Sequence, residues 1–98
     1  MIKPTIGRMV WYTIGNWDTV AVQRDQPLSG QIAYVWNDRL VNLFVIDANG
    51  IPLTRTSVPL LQDDDPRPEQ GFFCEWMPFQ KGQAQKTEAL EAKLEGKA

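Results

Sequence analysis

Residues 30–58 read GQIAYVWNDRLVNLFVIDANGIPLTRTSV, and this stretch decides the fold. It contains three runs rich in β-branched, aromatic and aliphatic residues, at 30–36, 40–47 and 51–58. Short segments that contain Asn, Asp and Gly separate the runs. β-Branched, aromatic and aliphatic residues favour strands, whereas Asn, Asp and Gly favour turns. The stretch therefore predicts three consecutive strands joined by short turns.

The dipeptide Asn49–Gly50 is the strongest turn signal in the chain, because both residues tolerate positive φ angles. It predicts a tight hairpin in which the numbers of facing residues add up to about 99, although a one-residue slip would invert the faces. This register puts three pairs opposite or near each other: Arg55 with Phe44, Ser57 with Asn42, and Arg39 with Leu60.

Alternation along the first two runs predicts which side chains share a face. In the first run, Ile32, Tyr34 and Trp36 share one face. The second run is mostly apolar on both faces, which is typical of a central strand. One of its faces consists of the following residues: Val41, Leu43 and Val45.

The flanking sequence extends this pattern in both directions. Residues 8–14 and 72–76 predict further strands, and residues 19–23 predict a short strand or a loop edge. Several short strands with short turns favour an all-β, five-stranded barrel over residues 1–82, SH3-like or alternatively OB-like. Residues 83–98 are expected to form a short helix or a flexible tail, with Leu90 and Leu94 uncovered.

Composition excludes several classes of function. The chain has 98 residues, a net charge of −2, no histidine and one cysteine. A disulfide within the chain, a cysteine zinc site and a histidine-activated nucleophile are therefore excluded, and a strongly basic binder of double-stranded nucleic acid is disfavoured. No apolar run approaches the 18 or so residues of a membrane span, so we expect no membrane partner.

The remaining reactive groups favour structural interpretations. Cys74 follows the pattern of a buried structural thiol. Three adjacent aspartates at 63–65 predict a solvated acidic loop, because neighbouring side chains do not converge on a cation. The other carboxylates favour structural roles over acid–base catalysis. Asp38 and Asp47, for example, are expected to cap turns. We expect a protein without enzymatic activity, metal or cofactor.

Aromatic and arginine side chains supply the candidate binding site. Four tryptophans are more than a small barrel can enclose, so some rings are expected at the surface. An exposed ring beside a guanidinium can stack on a base and bind a phosphate. Trp17 also belongs to this aromatic group. The predicted ligand-binding residues are Arg8, Trp11, Tyr12, Tyr34, Trp36, Arg39, Arg55 and Ser57.

Two arginines complete this prediction. If Arg39 and Arg55 both project outward, they frame a polar patch over Tyr34 or Trp36.

An 11.2 kDa barrel has little room for an internal cavity. The pocket for a small anionic aromatic ligand is therefore expected at the interface of a homo-oligomer.

Six motifs carry a resemblance to a known family: KPTIGR (3–8), DQPL (25–28), VNLFV (41–45), DANG (47–50), RTSV (55–58) and CEWMP (74–78). Together they resemble a family of small proteins from tailed phages and prophages of Gram-negative bacteria. The resemblance implies a phage origin and expression in the host cytoplasm. It brings no catalytic motif and no assigned site residues.

The barrel fold, the aromatic residues and the implied phage origin together suggest three non-catalytic functions. The first is a counter-defence protein that sequesters a nucleotide-derived immune signal of the host. The second is a protein–protein interaction module that binds a host or virion protein through an aromatic groove, with acidic residues favouring basic partners. The third is binding of single-stranded nucleic acid, which the net charge of −2 disfavours.

Overall fold

Five strands close into a barrel, and one helix follows them. The computed structural model describes residues 1–15, 26–69 and 71–95. The elements are β1 (Met9–Thr13), β2 (Leu28–Asn37), β3 (Leu40–Ile46), β4 (Pro52–Leu61), β5 (Phe73–Glu75) and α1 (Pro78–Glu95). The predicted all-β barrel with a C-terminal helix is confirmed.

The strands follow one another around the barrel in chain order, and β1 pairs with β5 to close it. All neighbouring pairs are antiparallel except β4 and β5, which are parallel. An OB fold is a Greek-key barrel, in which a strand crosses past its neighbours. The sequential order seen here favours the SH3-like alternative.

Side chains that point into the barrel form a single core. Inward and outward positions alternate along β3, so the residues at 41, 43 and 45 are buried as predicted. The core cluster consists of Val10, Tyr12, Leu28, Ile32, Val41, Leu43, Val45, Val58, Leu60, Cys74 and Trp76. Its largest members are an indole and a phenol, which shows that the barrel encloses part of its aromatic content.

The turn between β3 and β4 is longer than the tight hairpin expected from Asn49–Gly50. The Asp47 N–H donates to the Ile51 carbonyl (3.0 Å), and the Gly50 N–H donates to the Asp47 carbonyl (2.9 Å). Gly50 has a φ of 81°, whereas Asn49 has no positive φ. The loop is therefore a three-residue turn that ends in a left-handed glycine, and not a two-residue turn with two positive φ angles.

The longer turn shifts the register beside it by one residue. Arg55 pairs with Leu43 and not with Phe44, so that part of the predicted register is wrong. A shift of one residue moves a side chain to the other face of the sheet. Arg55 consequently lies on the same side of the sheet as the buried Leu43, and not on the outer side.

A bulge between β3 and β4 restores the expected register further from the turn. The Leu60 N–H donates to the Arg39 carbonyl (3.0 Å), so the predicted proximity of these two residues is confirmed. At the bulge, the Ser57 N–H donates to the Asn42 side-chain oxygen (2.8 Å). Asn42 and Ser57 are thus neighbours, as expected. The hydrogen bond between them is accepted by the side chain of Asn42 and not by its backbone.

A second bulge lies in β2, where Ala33 is skipped in the pairing with β3. On one side of it Ile32 is fully buried, while on the other Tyr34 and Trp36 are 48% and 56% exposed. The prediction that these three residues share a face is wrong. One extra residue reverses the alternation of a strand, and here it turns Tyr34 outward. A further register shift between Val35 and Asn37 leaves Trp36, which is also exposed, without a partner in the pairing with β3.

Helix α1 begins at Pro78, five residues before the segment that composition indicated. Gln80 ties it to the barrel, because its side-chain oxygen accepts the Met77 N–H (2.8 Å) and its amide donates to the Met9 carbonyl (3.0 Å). The predicted strand at 19–23 lies outside the described residues. Within the residues described, no helix combines the length and apolar character needed to cross a membrane.

Buried Gln62 joins three separate segments at one end of the barrel. Its amide donates to the carbonyls of Ile2 (2.7 Å) and Asp38 (2.9 Å). Its oxygen accepts the indole N–H of Trp76 (3.0 Å) and the backbone N–H of Ile2 (3.2 Å). The amino-terminal segment, the β2–β3 turn and the residue that follows β5 are therefore held by one side chain.

Candidate binding site

Tyr34 and Trp36 form an exposed aromatic pair on the outer face of the barrel. Their ring centroids lie 4.9 Å apart at an interplanar angle of 73°, in an edge-to-face arrangement. The indole N–H of Trp36 donates to the side-chain oxygen of Asn42 (2.9 Å), which also accepts the Ser57 N–H (2.8 Å). We call these four residues the aromatic surface. One carboxamide oxygen thus fixes the indole in the unbound protein.

Irregularities in β2 and β4 position this surface from either side. In β2 the pairing skips Ala33 and Trp36, and Tyr34 and Trp36 lie outward; in β4 the bulge directs the Ser57 N–H at Asn42. Ser57 has a φ of 53°, a left-handed conformation that is uncommon for residues other than glycine. Bulges often re-aim side chains next to functional sites. The surface therefore depends on local irregularities of two strands.

An apolar groove adjoins the aromatic surface along β2. It has a volume of about 300 Å³ and is lined by Ile6, Gln31, Ile32, Ala33 and Phe44. The small side chain of Ala33 leaves space between Ile6 and Phe44, which are 68% and 44% exposed. None of the lining residues carries a charge. The groove therefore suits an apolar side chain.

Two acidic turns lie at the end of the aromatic surface: residues 37–40, between β2 and β3, and residues 62–65, after β4. Arg39 joins them, because its Nε donates to Asp65 (3.0 Å). The pKa of Arg39 is raised, chiefly by this hydrogen bond and further by the charges of Asp65, Asp63 and Asp38. Three carboxylates consequently surround one guanidinium.

Asp65 is the best stabilised of these carboxylates. The Gln62 N–H donates to it (2.8 Å), and this bond lowers its pKa together with the bond from Arg39. A lowered folded-state pKa means that the contribution to stability is present above the ordinary value of 3.8 and is lost as the pH falls below it. The hydrogen bonds of Asp65 therefore stabilise the 62–65 turn near neutral pH.

Two carboxylates in these turns carry uncompensated charge. Asp63 pairs with the amino-terminal ammonium (2.9 Å), and Asp65 pairs with Arg39. Asp38 and Asp64 form no ion pair within residues 1–15, 26–69 and 71–95. Asp38 lies two residues after Trp36, so one of these free charges adjoins the exposed indole.

Arg8 and Arg39 are engaged elsewhere than on the aromatic surface. The Arg8 guanidinium lies 5.9 Å from the ring centroid of the buried Trp76, at the groove beside α1. Arg39 forms the ion pair with Asp65 described above. Neither contact brings a guanidinium over the exposed pair of rings.

Arg55 does not lie over the exposed aromatic pair either. It lies on the side of the sheet that faces the core, and its Nη1 donates to the carbonyl of Thr54 (2.7 Å). The predicted patch required Arg55 to project outward over Tyr34 or Trp36. The one-residue difference in register places it on the opposite side.

The other predicted aromatic residues are also separated from this surface. Trp11 is half-buried on the outer face and pairs with Ser29, which lies five residues or roughly 16 Å along β2 from Tyr34. Tyr12 is fully buried in the core. Trp17 lies outside the described residues. The predicted set therefore contributes Tyr34, Trp36 and Ser57 to one place.

Reactive groups offer little chemistry in the described part of the chain. Burial, with a smaller effect of Glu75, raises the pKa of the Cys74 thiol to about 12, so the thiol is neutral and weakly nucleophilic. No group of three or more cysteine or carboxylate side chains could hold a metal ion within the described segments. That the protein lacks enzymatic activity stays a prediction.

Sequence reasoning missed two residues of this region, Asn42 and Phe44. Both were assigned to the second face of a central strand, which the structure shows to be the outer face. A polar residue between apolar neighbours in VNLFV was the available signal for Asn42. Its role in holding the indole depends on the irregular pairing of β2 and β4, which the sequence pattern did not reveal.

Comparison of the chain with models of protein families, with curated proteins and with solved structures found no match. The resemblance to a phage family stays a prediction. Function is therefore inferred from the geometry of the surface.

Proposed function

We propose that the protein is a non-catalytic protein–protein interaction module that binds a polypeptide segment of its partner on the aromatic surface and the adjoining groove. The observation that carries this proposal is the exposed Tyr34–Trp36 pair, held in place by Asn42. With the phage origin that the resemblance implies, the proposed partner is a host or virion protein.

The anchored indole supports this proposal in two ways. The Trp36 N–H already has an acceptor, so a partner can cover the ring without leaving a buried donor unsatisfied. The fixed orientation also reduces the conformational entropy lost on binding. Aromatic residues in such positions commonly dominate the binding energy of protein interfaces.

Size favours a polypeptide over a small ligand. Tyr34, Trp36 and Phe44 are each about half exposed, and an aromatic side chain buries about 150–250 Å² in all. The three rings alone therefore present roughly 300 Å² of apolar surface, which is the size of a functional patch on a small protein. Ile6 extends this patch along the groove.

Charge also disfavours the nucleotide ligand that the sequence suggested. Among the described contacts, the three predicted arginines bind Trp76, Asp65 and the Thr54 carbonyl. Asp38 follows Trp36 by two residues in the sequence, and its carboxylate disfavours a phosphate bound there. A polypeptide segment fits this environment better.

Peptide display tests the proposal. Immobilised protein is used to select binders from a library of random 12-residue peptides, and the selected peptides are measured by fluorescence anisotropy. We expect binders with dissociation constants below about 100 µM that lose at least tenfold in affinity with Trp36→Ala, the loss typical of a central aromatic anchor.

Phe79→Ala is the matched control, because Phe79 is an aromatic residue that is 74% exposed on α1. It should leave the affinities unchanged, and thermal unfolding should show that both variants fold. The proposal is overturned if no selected peptide depends on Trp36. It is also overturned if sedimentation shows a Trp36-dependent dimer, since that result assigns the surface to a second copy of the chain.

A further inference from the structure

We infer that the segment bound by this surface is cationic: it carries an arginine or lysine that lies over Trp36 beside Asp38, and an apolar residue that occupies the groove. This inference rests on the proposed function and adds the chemistry of the partner. Charge complementarity with the acidic turns and the uncharged groove together define this occupant.

Trp36 and Asp38 are close enough to hold one cationic side chain. Two residues of extended chain span at most about 7 Å, so the Cα atoms of Trp36 and Asp38 lie within that distance. A guanidinium or ammonium can stack within about 6 Å of an indole centroid. A long cationic side chain that stacks on the ring is therefore within range of electrostatic attraction to Asp38.

The charge of the acidic turns favours such a cation. Asp38 has no ion-pair partner in the described part of the chain, while Arg39 is bound to Asp65. Gln62 holds both turns, because its amide donates to the backbone carbonyl of Asp38 (2.9 Å) and its backbone N–H donates to the carboxylate of Asp65 (2.8 Å). The backbone that carries Asp38 is thus held in place before binding.

The groove sets the spacing of the partner's two anchors. Ala33, at the centre of the groove, precedes Trp36 by three residues along β2, or roughly 10 Å. A bound segment that runs extended along β2 covers the same length with the same number of residues. Alternate side chains of an extended segment share a face, so the apolar and the cationic residue should lie two or four positions apart.

The selected peptides provide the first test. Peptides whose binding depends on Trp36 should be enriched in Arg or Lys two or four positions from an apolar residue. Their affinity should fall at least threefold between 50 and 500 mM NaCl, because salt screens the charge of an exposed pair. Trp36-dependent peptides without enrichment in basic residues overturn the inference, although the proposed function stands.

Charge substitution provides the second test. Asp38→Asn should weaken the same peptides by about threefold to tenfold, as expected for the loss of one partly exposed ion pair. Glu91→Gln is the matched control, since it removes an equal charge from an exposed position on α1. Equal effects of the two variants overturn the inference, whereas the absence of any Trp36-dependent peptide overturns the proposed function itself.

Discussion

Gln62 shows how one buried polar side chain can organise a small barrel. It is 1% exposed, and it makes the four hydrogen bonds with Ile2, Asp38 and Trp76 described above. Within the described residues no buried side-chain nitrogen or oxygen lacks a partner. A buried polar group contributes to stability only when its partners are present, so these residues depend on one another.

The substitution Gln62→Leu should therefore be strongly destabilising although the volume changes little. The indole N–H of Trp76 and the N–H of Ile2 lose their acceptor inside the protein, and each unsatisfied buried group costs about 1–3 kcal/mol. We expect the free energy of unfolding to fall by about 2–4 kcal/mol, and the melting temperature to fall by at least about 8 °C.

Gln85→Leu is the control for this prediction, because Gln85 is exposed on α1. Its effect on the free energy of unfolding in urea should stay within about 0.5 kcal/mol, as for most surface substitutions. Equal stability of the Gln62 and Gln85 variants would show that the network around Gln62 does not support the barrel.

At the scale of elements, one bulge in β2 and the longer turn after β3 explain why the strands were predictable and their faces were not. Strand positions follow from local composition, and each run in residues 30–58 became a strand. Which side chains point to the core depends on the pairing register, and a single extra residue changes that register. Ala33 and the longer turn after Ile46 each introduced such a shift, and with them the expected positions of Tyr34 and Arg55 reversed.

The candidate site was likewise predictable only in part. Exposure of some aromatic rings follows from counting four tryptophans against the capacity of a small core, and Trp36 is indeed exposed. The sequence does not show which rings are enclosed, because burial is decided by non-local pairing. Tyr12 pairs with Leu28 and Cys74 on the inner side and is buried for that reason.

The bulge in β4 leads to a prediction at Ser57, whose φ of 53° is unfavourable for residues with a Cβ atom. Ser57→Gly should keep or raise the free energy of unfolding, by up to about 1 kcal/mol, because glycine adopts this conformation without strain. Ser57→Val should lower it by about 1–2 kcal/mol, since β-branched residues are rare there. Chemical denaturation measures both changes.

Thr56→Val serves as the control, because Thr56 is exposed and its backbone has no positive φ. A change within about 0.5 kcal/mol is expected at that position. If the valine variants at 56 and 57 are equally stable, the left-handed conformation of Ser57 does not contribute and the bulge is not maintained in solution. The aromatic surface would then lose one of its two supports.

On the scale of the whole molecule, the distal part of the helix extends away from the barrel, beyond the contact of Glu88 with the amino-terminal ammonium (3.4 Å). The longest dimension is 54 Å, against 24 and 21 Å for the other two. An 18-residue helix is about 27 Å long, so α1 accounts for this elongation. Leu90 and Leu94 are 58% and 60% exposed, which shows that the distal turns of α1 do not pack on the core.

This shape permits a test of the expected boundary between residues 82 and 83. A chain of residues 1–82 keeps Gln80, which links α1 to the Met9 carbonyl and accepts the Met77 N–H. Residues 85–94 are exposed, so their removal uncovers little apolar surface. We expect cooperative thermal unfolding with a melting temperature within about 5 °C of the full chain, because few stabilising contacts are lost.

A chain of residues 1–77 provides the comparison for this prediction. It lacks Gln80 as well, so the Met9 carbonyl and the Met77 N–H lose their partners. It should melt below the 1–82 chain, because the first turn of α1 closes the barrel end while the rest of the helix extends from it. A 1–82 chain that fails to unfold cooperatively would show that the distal helix belongs to the folding unit. The aromatic surface, which lies on β2, β3 and β4, would then have to be studied in the full chain.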